Sequence, residues 1–471
     1  MKNWISRFVL PLPTLVMFLV MTSATQAKND LEFGAPLSFN ASSSAASSGD
    51  FNNNGAAEFI LGNGTSGIEL VRWDQSTNTL LRSNISDNSN NDHRDRYAGD
   101  LVTADVDGDG FTDVLAPNSD NFGTQGEVFW YRNPGANYAN QTWSRKTIQS
   151  WNGVAIGNDP NRVQHLSEIE AQDIDGDGDV DVVVRDILSG LYLIRNDGND
   201  QWTRRYIGVN PREGLDLFDP DFDGDLDIAI NGLWIETPGS AANPVDLETA
   251  EFRQHAFDVD DANGANQYPT GNSNDETRDY AKKVVTGDFN GDGRIDIAVS
   301  NAEQLNSVGD DGGGPKGIRV YLSPEDATAG AIEWKEVILD ASEVGLDERF
   351  SLHTLQAVDI DRDGDLDLVS GLTNVGRDDP IGGLFALLNN GDGLGYEFEW
   401  IYEPFGEDDP YAYNNILADA DGDGDFDLFG GSQFQDGQIR FFENLTSVPE
   451  PNSMALLLLI GGVLMTRRSR K

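Results

Sequence analysis

The chain has 471 residues, 38% of them hydrophobic, which is enough to bury a sizeable core. Acidic residues outnumber basic ones by 80 to 32, and the net charge of −48 argues against nucleic acid or an anionic lipid surface as the principal partner. Cysteine is absent, so neither disulfide bonds nor a lipid-modified cysteine are available. Metal ions are the remaining cross-link for a chain with this excess of carboxylates.

The N-terminus carries two basic residues, then an apolar stretch over residues 8–21, then small residues up to Ala27. This order is typical of a secretory signal peptide, and we predict one over residues 1–27. A permanent N-terminal membrane anchor is the alternative interpretation. Two prolines and the short apolar stretch argue against it, because a membrane-spanning helix needs about 20 apolar residues. We therefore expect an exported protein.

A nine-residue pattern then recurs along the chain, with an acid at position 1, Asp or Asn at positions 3 and 5, Gly at position 6 and an acid at position 9. The seven copies, numbered loop 1 to loop 7, begin at Asp50, Asp105, Asp173, Asp219, Asp288, Asp359 and Asp419. Successive copies start 46 to 71 residues apart, which is long enough for one four-stranded blade each. The repeat predicts an all-β fold, a seven-bladed β-propeller over residues 28–447.

The loop chemistry suits a hard cation, which takes six to eight oxygen ligands and tolerates irregular geometry. Side chains at positions 1, 3 and 5 turn to one centre, the glycine permits a sharp reversal, position 7 offers its carbonyl and position 9 closes the shell. Calcium fits best, at about seven sites. The alternative is a solvated acidic turn without metal, and this alternative is strongest for loop 1, where Asn52, Asn54 and Glu58 supply less charge.

The predicted metal ligands are listed here loop by loop: Asp50, Asn52, Asn54 and Glu58; Asp105, Asp107, Asp109, Phe111 and Asp113; Asp173, Asp175, Asp177, Asp179 and Asp181; Asp219, Asp221, Asp223, Asp225 and Asp227; Asp288, Asn290, Asp292, Arg294 and Asp296; Asp359, Asp361, Asp363, Asp365 and Asp367; Asp419, Asp421, Asp423, Asp425 and Asp427.

These loops are not EF-hands, which need an acid at position 12. The residues found there are Leu61, Ala116, Val184, Ile230, Val299, Ser370 and Gly430. Short β-type runs such as residues 182–184 follow position 9, so each loop is predicted to join the first strand of a blade to the second. The pattern resembles the FG-GAP or VCBS-type calcium repeats of integrin-like propellers. The resemblance covers nearly all of residues 31–444 and implies bound calcium.

Two further elements are predicted from the shape of the repeat. The last unit stops after its third strand, so we expect residues 31–40 to supply the outermost strand of the last blade and close the ring. A tryptophan recurs near the fourth strand, at Trp143, Trp202, Trp334 and Trp400. Because it recurs at one place in the blade, packing is favoured over sugar stacking.

The start of each innermost strand should lie at the rim opposite the loops. Polar residues eight and six positions before the loops could ring a pocket there. The candidate ligand-binding residues are His165, Glu213, Tyr280, Lys282, His353 and Tyr413. The alternative is a solvated channel mouth, and it is favoured because no motif defines roles for these residues. No phosphate-binding loop, zinc-protease motif, nucleophile elbow or cysteine nucleophile is present, and no catalytic residue is assigned.

The C-terminus has Pro-Glu-Pro at residues 449–451, an apolar run over residues 454–465 and an Arg-rich end. This order resembles the PEP-CTERM sorting signal of bacterial surface proteins, and we assign residues 448–471 to it. The resemblance implies a transient membrane anchor and cleavage by an exosortase-type enzyme. It also implies a location in the cell envelope or the extracellular matrix of a bacterium.

The leading functional hypothesis is an exported calcium-binding module for cell-surface or matrix adhesion, with a polysaccharide or a surface protein as partner and no nucleic acid. The alternative is a carbohydrate-active enzyme, lyase- or dehydratase-like, with its site at the rim of the channel.

Overall fold

The computed structural model describes residues 31–41, 45–63, 67–86, 100–119, 125–152, 163, 166–186, 190–208, 214–230, 232–239, 247, 249–258, 281–301, 317–340, 351–373, 383–402, 414–431 and 438–446. The predicted signal peptide and the predicted sorting segment lie outside these ranges. No helix among the described residues is long and apolar enough to span a membrane.

The described chain forms seven four-stranded antiparallel sheets, each one blade of a β-propeller, so the predicted fold is confirmed. Blade 1 contains β2 (Ala45–Gly49), β3 (Glu58–Asn63), β4 (Gly67–Asp74) and β5 (Thr79–Asn84). Blade 2 contains β6 (Val102–Ala104), β7 (Asp113–Ser119), β8 (Gln125–Arg132) and β9 (Ser144–Asn152). Blade 3 contains β10 (Leu166–Gln172), β11 (Asp181–Asp186), β12 (Gly190–Asn196) and β13 (Trp202–Tyr206). Blade 4 contains β14 (Leu215–Phe218), β15 (Asp227–Ile230), β16 (Leu233–Glu236) and β17 (Arg253–Ala256).

The remaining blades repeat this order. Blade 5 contains β18 (Ala281–Gly287), β19 (Asp296–Asn301), β20 (Gly317–Leu322) and β21 (Lys335–Asp340). Blade 6 contains β22 (Ser351–Val358), β23 (Asp367–Thr373), β24 (Gly383–Asn389) and β25 (Tyr396–Tyr402). Blade 7 contains β26 (Asn414–Ala418), β27 (Asp427–Gly431), β28 (Gln438–Phe442) and the N-terminal β1 (Leu37–Asn40). Short 3-10 turns cover Gly135–Asn137, Ala327–Ala329 and Ala331–Glu333.

The ring is closed by β1, which pairs antiparallel with β28 so that Leu37 lies opposite Phe441. An isolated bridge between Phe33 and Asn444 extends the pairing. The expected closure by residues 31–40 is therefore confirmed. Closure covers the edge of β28, which would otherwise offer its backbone groups to another chain.

The core is divided among the seven interfaces between neighbouring blades, each filled by one apolar cluster. At the interface of blades 1 and 7, Phe59 stacks on Phe429 with ring centroids 4.5 Å apart. The tryptophans expected near the fourth strands also pack on aromatic rings: Trp143 on Phe51, Trp202 on Trp130, Trp334 on Phe257 and Trp400 on Phe385. Their expected packing role is confirmed.

In every blade the innermost strand leads into an acidic loop, and the second strand begins at position 9 of that loop. This residue is an aspartate in blades 2 to 7 and Glu58 in blade 1. The predicted placement of the loops between first and second strands is therefore confirmed. Because every loop connects the first strand of its blade to the second, all seven loops lie at the same end of the propeller.

Candidate metal sites in the acidic loops

The loop backbone is shaped by two residues in the left-handed region, at positions 4 and 6. The glycine at position 6 has φ between 86° and 101° in all seven loops, as its predicted role in the reversal requires. Position 4 is glycine in four loops and is Asn53, Phe222 or Arg362 in the others, with φ of 58°, 59° and 62°. The carboxylate at position 1 then accepts the amides of the turn. In loop 5, Asp288 accepts Asp292 N at 3.1 Å and Gly293 N at 2.8 Å.

This turn brings carboxylates from separate positions together. In five loops, three acids each place one oxygen within 4.8 Å of the others. These sets are Asp105, Asp107 and Asp113; Asp173, Asp175 and Asp181; Asp219, Asp221 and Asp223; Asp359, Asp361 and Asp367; Asp419, Asp421 and Asp427. Three negative charges at this separation repel strongly unless a cation lies between them. The donors are all oxygens, as a hard cation prefers.

The acid at position 9 belongs to four of these sets and is buried in each of them; in loop 4 the position-9 acid, Asp227, is buried beside the set. In loop 6, Asp367 is 1% exposed, and its carboxylate accepts Ile360 N at 3.0 Å and Asn389 N at 2.7 Å. Burial and, less strongly, the charge of the nearby Asp361 raise the pKa of this carboxyl to about 8 against the lowering effect of the two backbone hydrogen bonds. For the same reason the pKa of its counterparts is raised to about 6 at Asp296, about 7 at Asp113, about 8 at Asp181 and Asp427 and about 9 at Asp227.

Loop 4 leaves buried carboxylate oxygens without a hydrogen-bond partner. Its position 2 is Pro220, which has no N–H to donate to position 9. The Oδ2 of Asp227, a residue 1% exposed, has no hydrogen-bond donor among the described residues. The Oδ1 atoms of Asp219 and Asp221 lack donors within the described chain as well. A buried, unpartnered carboxylate oxygen is costly. Oxygens of Asp219, Asp221 and Asp223 lie within 4.8 Å of one another, and a cation bound between them would compensate the local negative charge.

Positions 5 and 7 of a loop are joined by a hydrogen bond. In loop 6, Asp363 Oδ1 accepts Asp365 N at 3.1 Å, and in loop 2 Asp109 Oδ1 accepts Phe111 N at 3.0 Å. The side chain of Arg294, at position 7 of loop 5, forms an ion pair with Asp292. Position 7 is an alanine, a phenylalanine, an arginine or an aspartate in different loops. This variety of side chains agrees with the prediction that position 7 acts through its backbone carbonyl.

Loop 1 differs from the others. The amide of Asn52, at position 3, donates to the carboxylate of Glu58, at position 9. The Tyr138 hydroxyl donates to Glu58 Oε1 at 2.9 Å and accepts from Asn52 Nδ2 at 2.9 Å. Burial raises the pKa of Glu58. Side chains that would face a cation elsewhere here bond to one another, so loop 1 fits a metal ion least well of the seven.

The candidate residues for a pocket at the opposite rim are less well defined. His165, Glu213, Tyr280 and Tyr413 lie outside the described residues. Lys282 and His353 are described as backbone positions within β18 and β22. The predicted pocket stays a prediction.

The structure instead brings charged side chains together deeper in the channel. The innermost strands β6, β10, β14 and β18 carry or adjoin Asp100, Glu170, Asp216 and Lys283. The Lys283 ammonium forms an ion pair with Asp100, which joins blade 5 to blade 2 across the channel. Burial, Asp216 and Asp100 raise the pKa of Glu170 well above its ordinary value, and Lys283 opposes this rise.

Neighbouring groups hold this channel cluster in place. Asp216 Oδ2 accepts Thr286 N at 2.7 Å and Thr286 Oγ1 at 2.9 Å, which ties blade 4 to blade 5. Burial raises the pKa of Asp216 to about 6. Glu168 forms an ion pair with the buried Arg185 at 2.7 Å and accepts Gly214 N at 3.0 Å.

The sequence prediction missed the channel cluster because it considered residues eight and six positions before each loop. The charged residues lie five and three positions before the loops. A usable signal was present in the β10 sequence LSEIEAQ, where two acids alternate with apolar residues. This alternation places both acids on one face of the strand.

No protein-family model and no curated protein matches the sequence. Solved structures with a similar fold include BBS1N in complex with ARL6DN, soaked with mercury, at 8% identity and a TM-score of 0.46, covering 90% of this chain and 99% of that one. The S. cerevisiae core factor has 10% identity and a TM-score of 0.42, with 94% and 69% coverage. A mutant of the α-L-arabinofuranosidase arb93a from Fusarium graminearum, in complex with an iminosugar inhibitor, has 10% identity and a TM-score of 0.43, with 90% and 100% coverage.

Proposed function

We propose that this chain is an exported calcium-binding β-propeller that acts as a cell-surface or matrix binding module. The observation that carries the proposal is loop 4, where a fully buried carboxylate oxygen of Asp227 has no hydrogen-bond donor among the described residues and adjoins further acids. A cation at this centre removes both the repulsion and the unmet hydrogen-bonding capacity. In four other loops the carboxylates at positions 1, 3 and 9 also lie close together, which supports several such sites.

Calcium is the favoured ion because of the donor set. The converging side-chain atoms are oxygens from carboxylates, with no cysteine in the chain and no histidine in the loops. Zinc and copper prefer nitrogen or sulfur ligands, and magnesium demands a regular octahedron with several retained waters. Calcium accepts carboxylate and backbone oxygens in irregular arrangements. In this proposal the loops belong to the FG-GAP or VCBS type, and bound calcium takes the place of disulfide bonds in stabilising the exported chain.

The location and the partner complete the proposal. The N-terminal segment and the Pro-Glu-Pro, apolar, Arg-rich C-terminal segment support export and attachment to a bacterial envelope, with an exosortase-type enzyme processing the C-terminus. Proteins with such a tail are associated with matrices, so the proposed partner is an extracellular polysaccharide or a surface protein. The strongly acidic body makes nucleic acid an unsuitable partner.

Metal binding is tested by following thermal unfolding of chelator-treated protein as calcium or magnesium is added. Calcium should raise the melting temperature by about 10 °C or more, and magnesium should raise it less. Asp227→Asn should reduce the rise produced by calcium and change melting in chelator little, because Asp227 without metal already holds a proton at neutral pH. Glu333→Gln, at an exposed acid outside the loops, is the control. Equal melting with calcium and with chelator would contradict the proposal.

The binding function is tested by a glycan array and by pull-down with isolated matrix polysaccharide, each with calcium and with chelator. Binding of the protein to a glycan or to the matrix polysaccharide that requires calcium supports the proposed module. If neither a polysaccharide nor a surface protein from the same envelope is retained under any condition, the adhesion role is wrong, while the metal assignment stands on its own test.

A second candidate function is a lyase- or dehydratase-like activity on carbohydrate, and the channel cluster is the observation that favours it. Glu170 has a raised pKa and lies near Lys283, a combination that suits proton transfer at a sugar carbon. The test is formation of an unsaturated product from polysaccharide. Turnover that is lost in Glu170→Gln and Lys283→Met, or in alanine variants of His165 or His353, would place the enzyme ahead of the binding module.

A further inference from the structure

Three blades carry an asparagine at the end of the third strand or within two residues after it, and its carboxamide reaches into the loop of the preceding blade. These residues are Asn133 in blade 2, Asn389 in blade 6 and Asn444 in blade 7. All three are at most 3% exposed. Each donates one hydrogen bond to the carbonyl at position 2 of the preceding loop and one to the carbonyl at position 8 of its own loop.

Asn389 shows the arrangement in full. Its Nδ2 donates to Phe289 O in loop 5 at 2.6 Å and to Leu366 O in loop 6 at 3.1 Å. Its backbone N–H donates to the position-9 carboxylate of its own loop, Asp367, at 2.7 Å. One residue therefore contacts the backbone of one candidate metal loop and the carboxylate of the next.

The next link is made through Ile360, at position 2 of loop 6. Its N–H donates to Asp367 at 3.0 Å, and its carbonyl accepts Asn444 Nδ2 at 3.2 Å. Asn444 N in turn donates to Asp427, the position-9 carboxylate of loop 7, at 2.9 Å. In loop 5, the N–H of Phe289 donates to Asp296 at 3.0 Å in the same way. Loops 5, 6 and 7 are thus joined by an unbroken series of hydrogen bonds.

Blades 3 and 4 show no such link within the described chain. Asn196 of blade 3 donates its backbone N–H to Asp181 at 2.8 Å, but its side chain accepts Gly198 N of its own blade at 3.2 Å and does not reach the preceding loop among the described residues. Blade 4 has Thr237, whose hydroxyl donates to Leu226 O of its own loop at 2.7 Å and is too short to cross to the preceding blade. These two blades supply a comparison inside the same molecule.

We propose that Asn389 and Asn444 couple loops 5, 6 and 7, so that these three loops take up metal as one cooperative unit while loops 3 and 4 fill independently. The inference rests on the proposed metal binding. An acidic loop without a cation is strained by repulsion between its carboxylates and becomes ordered when the cation binds. Ordering of loop 6 positions the Ile360 carbonyl for Asn444 and the Asn389 amide for Phe289, so each filled loop lowers the cost of ordering its neighbours.

The test measures metal uptake loop by loop. Calcium is titrated into the chelator-treated full chain, and hydrogen–deuterium exchange is followed by mass spectrometry for peptides covering each loop. In the native protein, loops 5, 6 and 7 should become protected at one common calcium concentration. In Asn389→Thr, which copies the residue of blade 4, the midpoint of loop 5 should separate from those of loops 6 and 7 by about fivefold, the equivalent of one or two lost hydrogen bonds. Asn444→Thr should separate loop 7 from loops 5 and 6 to a similar extent.

Asn196→Thr is the matched control, because it makes the same substitution in a blade without the link, and it should leave every midpoint unchanged.

Thermal melting in chelator distinguishes a purely structural role of Asn389 from a role in coupling the loops. If Asn389→Thr lowers stability equally with and without calcium and leaves the three midpoints together, the coupling is wrong. Three distinct midpoints in the native protein also overturn it. Loops whose protection ignores calcium altogether would overturn the proposed metal function and this inference with it.

Discussion

Lys283 on the innermost strand of blade 5 forms an ion pair with Asp100, which lies two residues before the innermost strand of blade 2. The two residues are 183 positions apart and belong to blades that are not neighbours. The pair therefore crosses the central channel, and the positive charge of Lys283 opposes the rise in the pKa of Glu170. Most contacts between blades join adjacent blades, whereas this ion pair connects two blades that are not adjacent.

Removal of the ammonium should destabilise the protein. Lys283→Met leaves Asp100 and Glu170 without their counter-charge in a half-buried channel, and we expect a loss of about 2 kcal/mol in the free energy of unfolding. Urea unfolding at pH 7 measures it. Lys335→Met, at an exposed lysine of β21, is the control and should change stability by no more than about 0.5 kcal/mol. Equal effects of the two substitutions would show that the channel pair contributes nothing specific.

Glu170 should make stability depend on pH. Its folded pKa is raised above the ordinary value of 4.5, so the folded state binds its proton more tightly than the unfolded state does. The stability that it contributes is present at low pH and is lost as the pH rises from about 4.5 through the raised folded pKa. Glu170→Gln mimics the neutral carboxyl. The variant should be more stable than the native protein at pH 8 and should decline less between pH 5 and pH 8.

Urea unfolding at several pH values, with metal held constant, measures this effect. Glu333→Gln removes an exposed carboxyl for comparison and should leave the pH profile unchanged. A Glu170→Gln profile that runs parallel to that of the native protein would show that Glu170 is already ionised in the folded state at neutral pH.

Metal uptake should release protons at neutral pH. Without metal, burial raises the pKa of Asp181, Asp367 and Asp427 to about 8 and that of Asp227 to about 9. A cation binds the ionised carboxylate, so at pH 7 these groups must lose their protons when it enters. Calorimetric titration in buffers with different ionisation enthalpies counts the released protons. We expect several protons per chain at pH 7 and close to none at pH 10; an equal count at the two pH values would contradict the assignment of position 9 as a ligand.

Loop 1 should depend on hydrogen bonds more than on metal. Tyr138→Phe removes the hydroxyl that donates to Glu58 and accepts from Asn52, and we expect a loss of about 1–2 kcal/mol. The loss should be the same in calcium and in chelator. Asp361→Asn in loop 6 should behave differently and weaken the protein only in calcium. If the effect of Tyr138→Phe disappears in chelator, loop 1 holds a metal ion, which would contradict this prediction.

Sequence reasoning was most successful where the determining residues are close together in the chain. All the donors of one loop lie within nine consecutive residues, and the same spacing recurs seven times. The repeat therefore predicted the fold, the number of blades and the placement of the loops. The unfinished last unit predicted the closure by β1. Loop 1 was recognised as the weakest candidate from its low charge, but the Tyr138 hydroxyl that satisfies Glu58 could not be inferred, because it comes from blade 2.

The local sequence pattern thus determined the blades. A nine-residue turn and the strands beside it are specified by residues that are close together in the chain. Contacts between blades were decided by the tertiary structure alone. Asn389 meets Phe289 from 100 residues away, and Lys283 meets Asp100 only because closing the ring brings their strands around one channel. The charge and length of a side chain can be read from the sequence. The distant residues that the side chain contacts depend on how the seven blades pack.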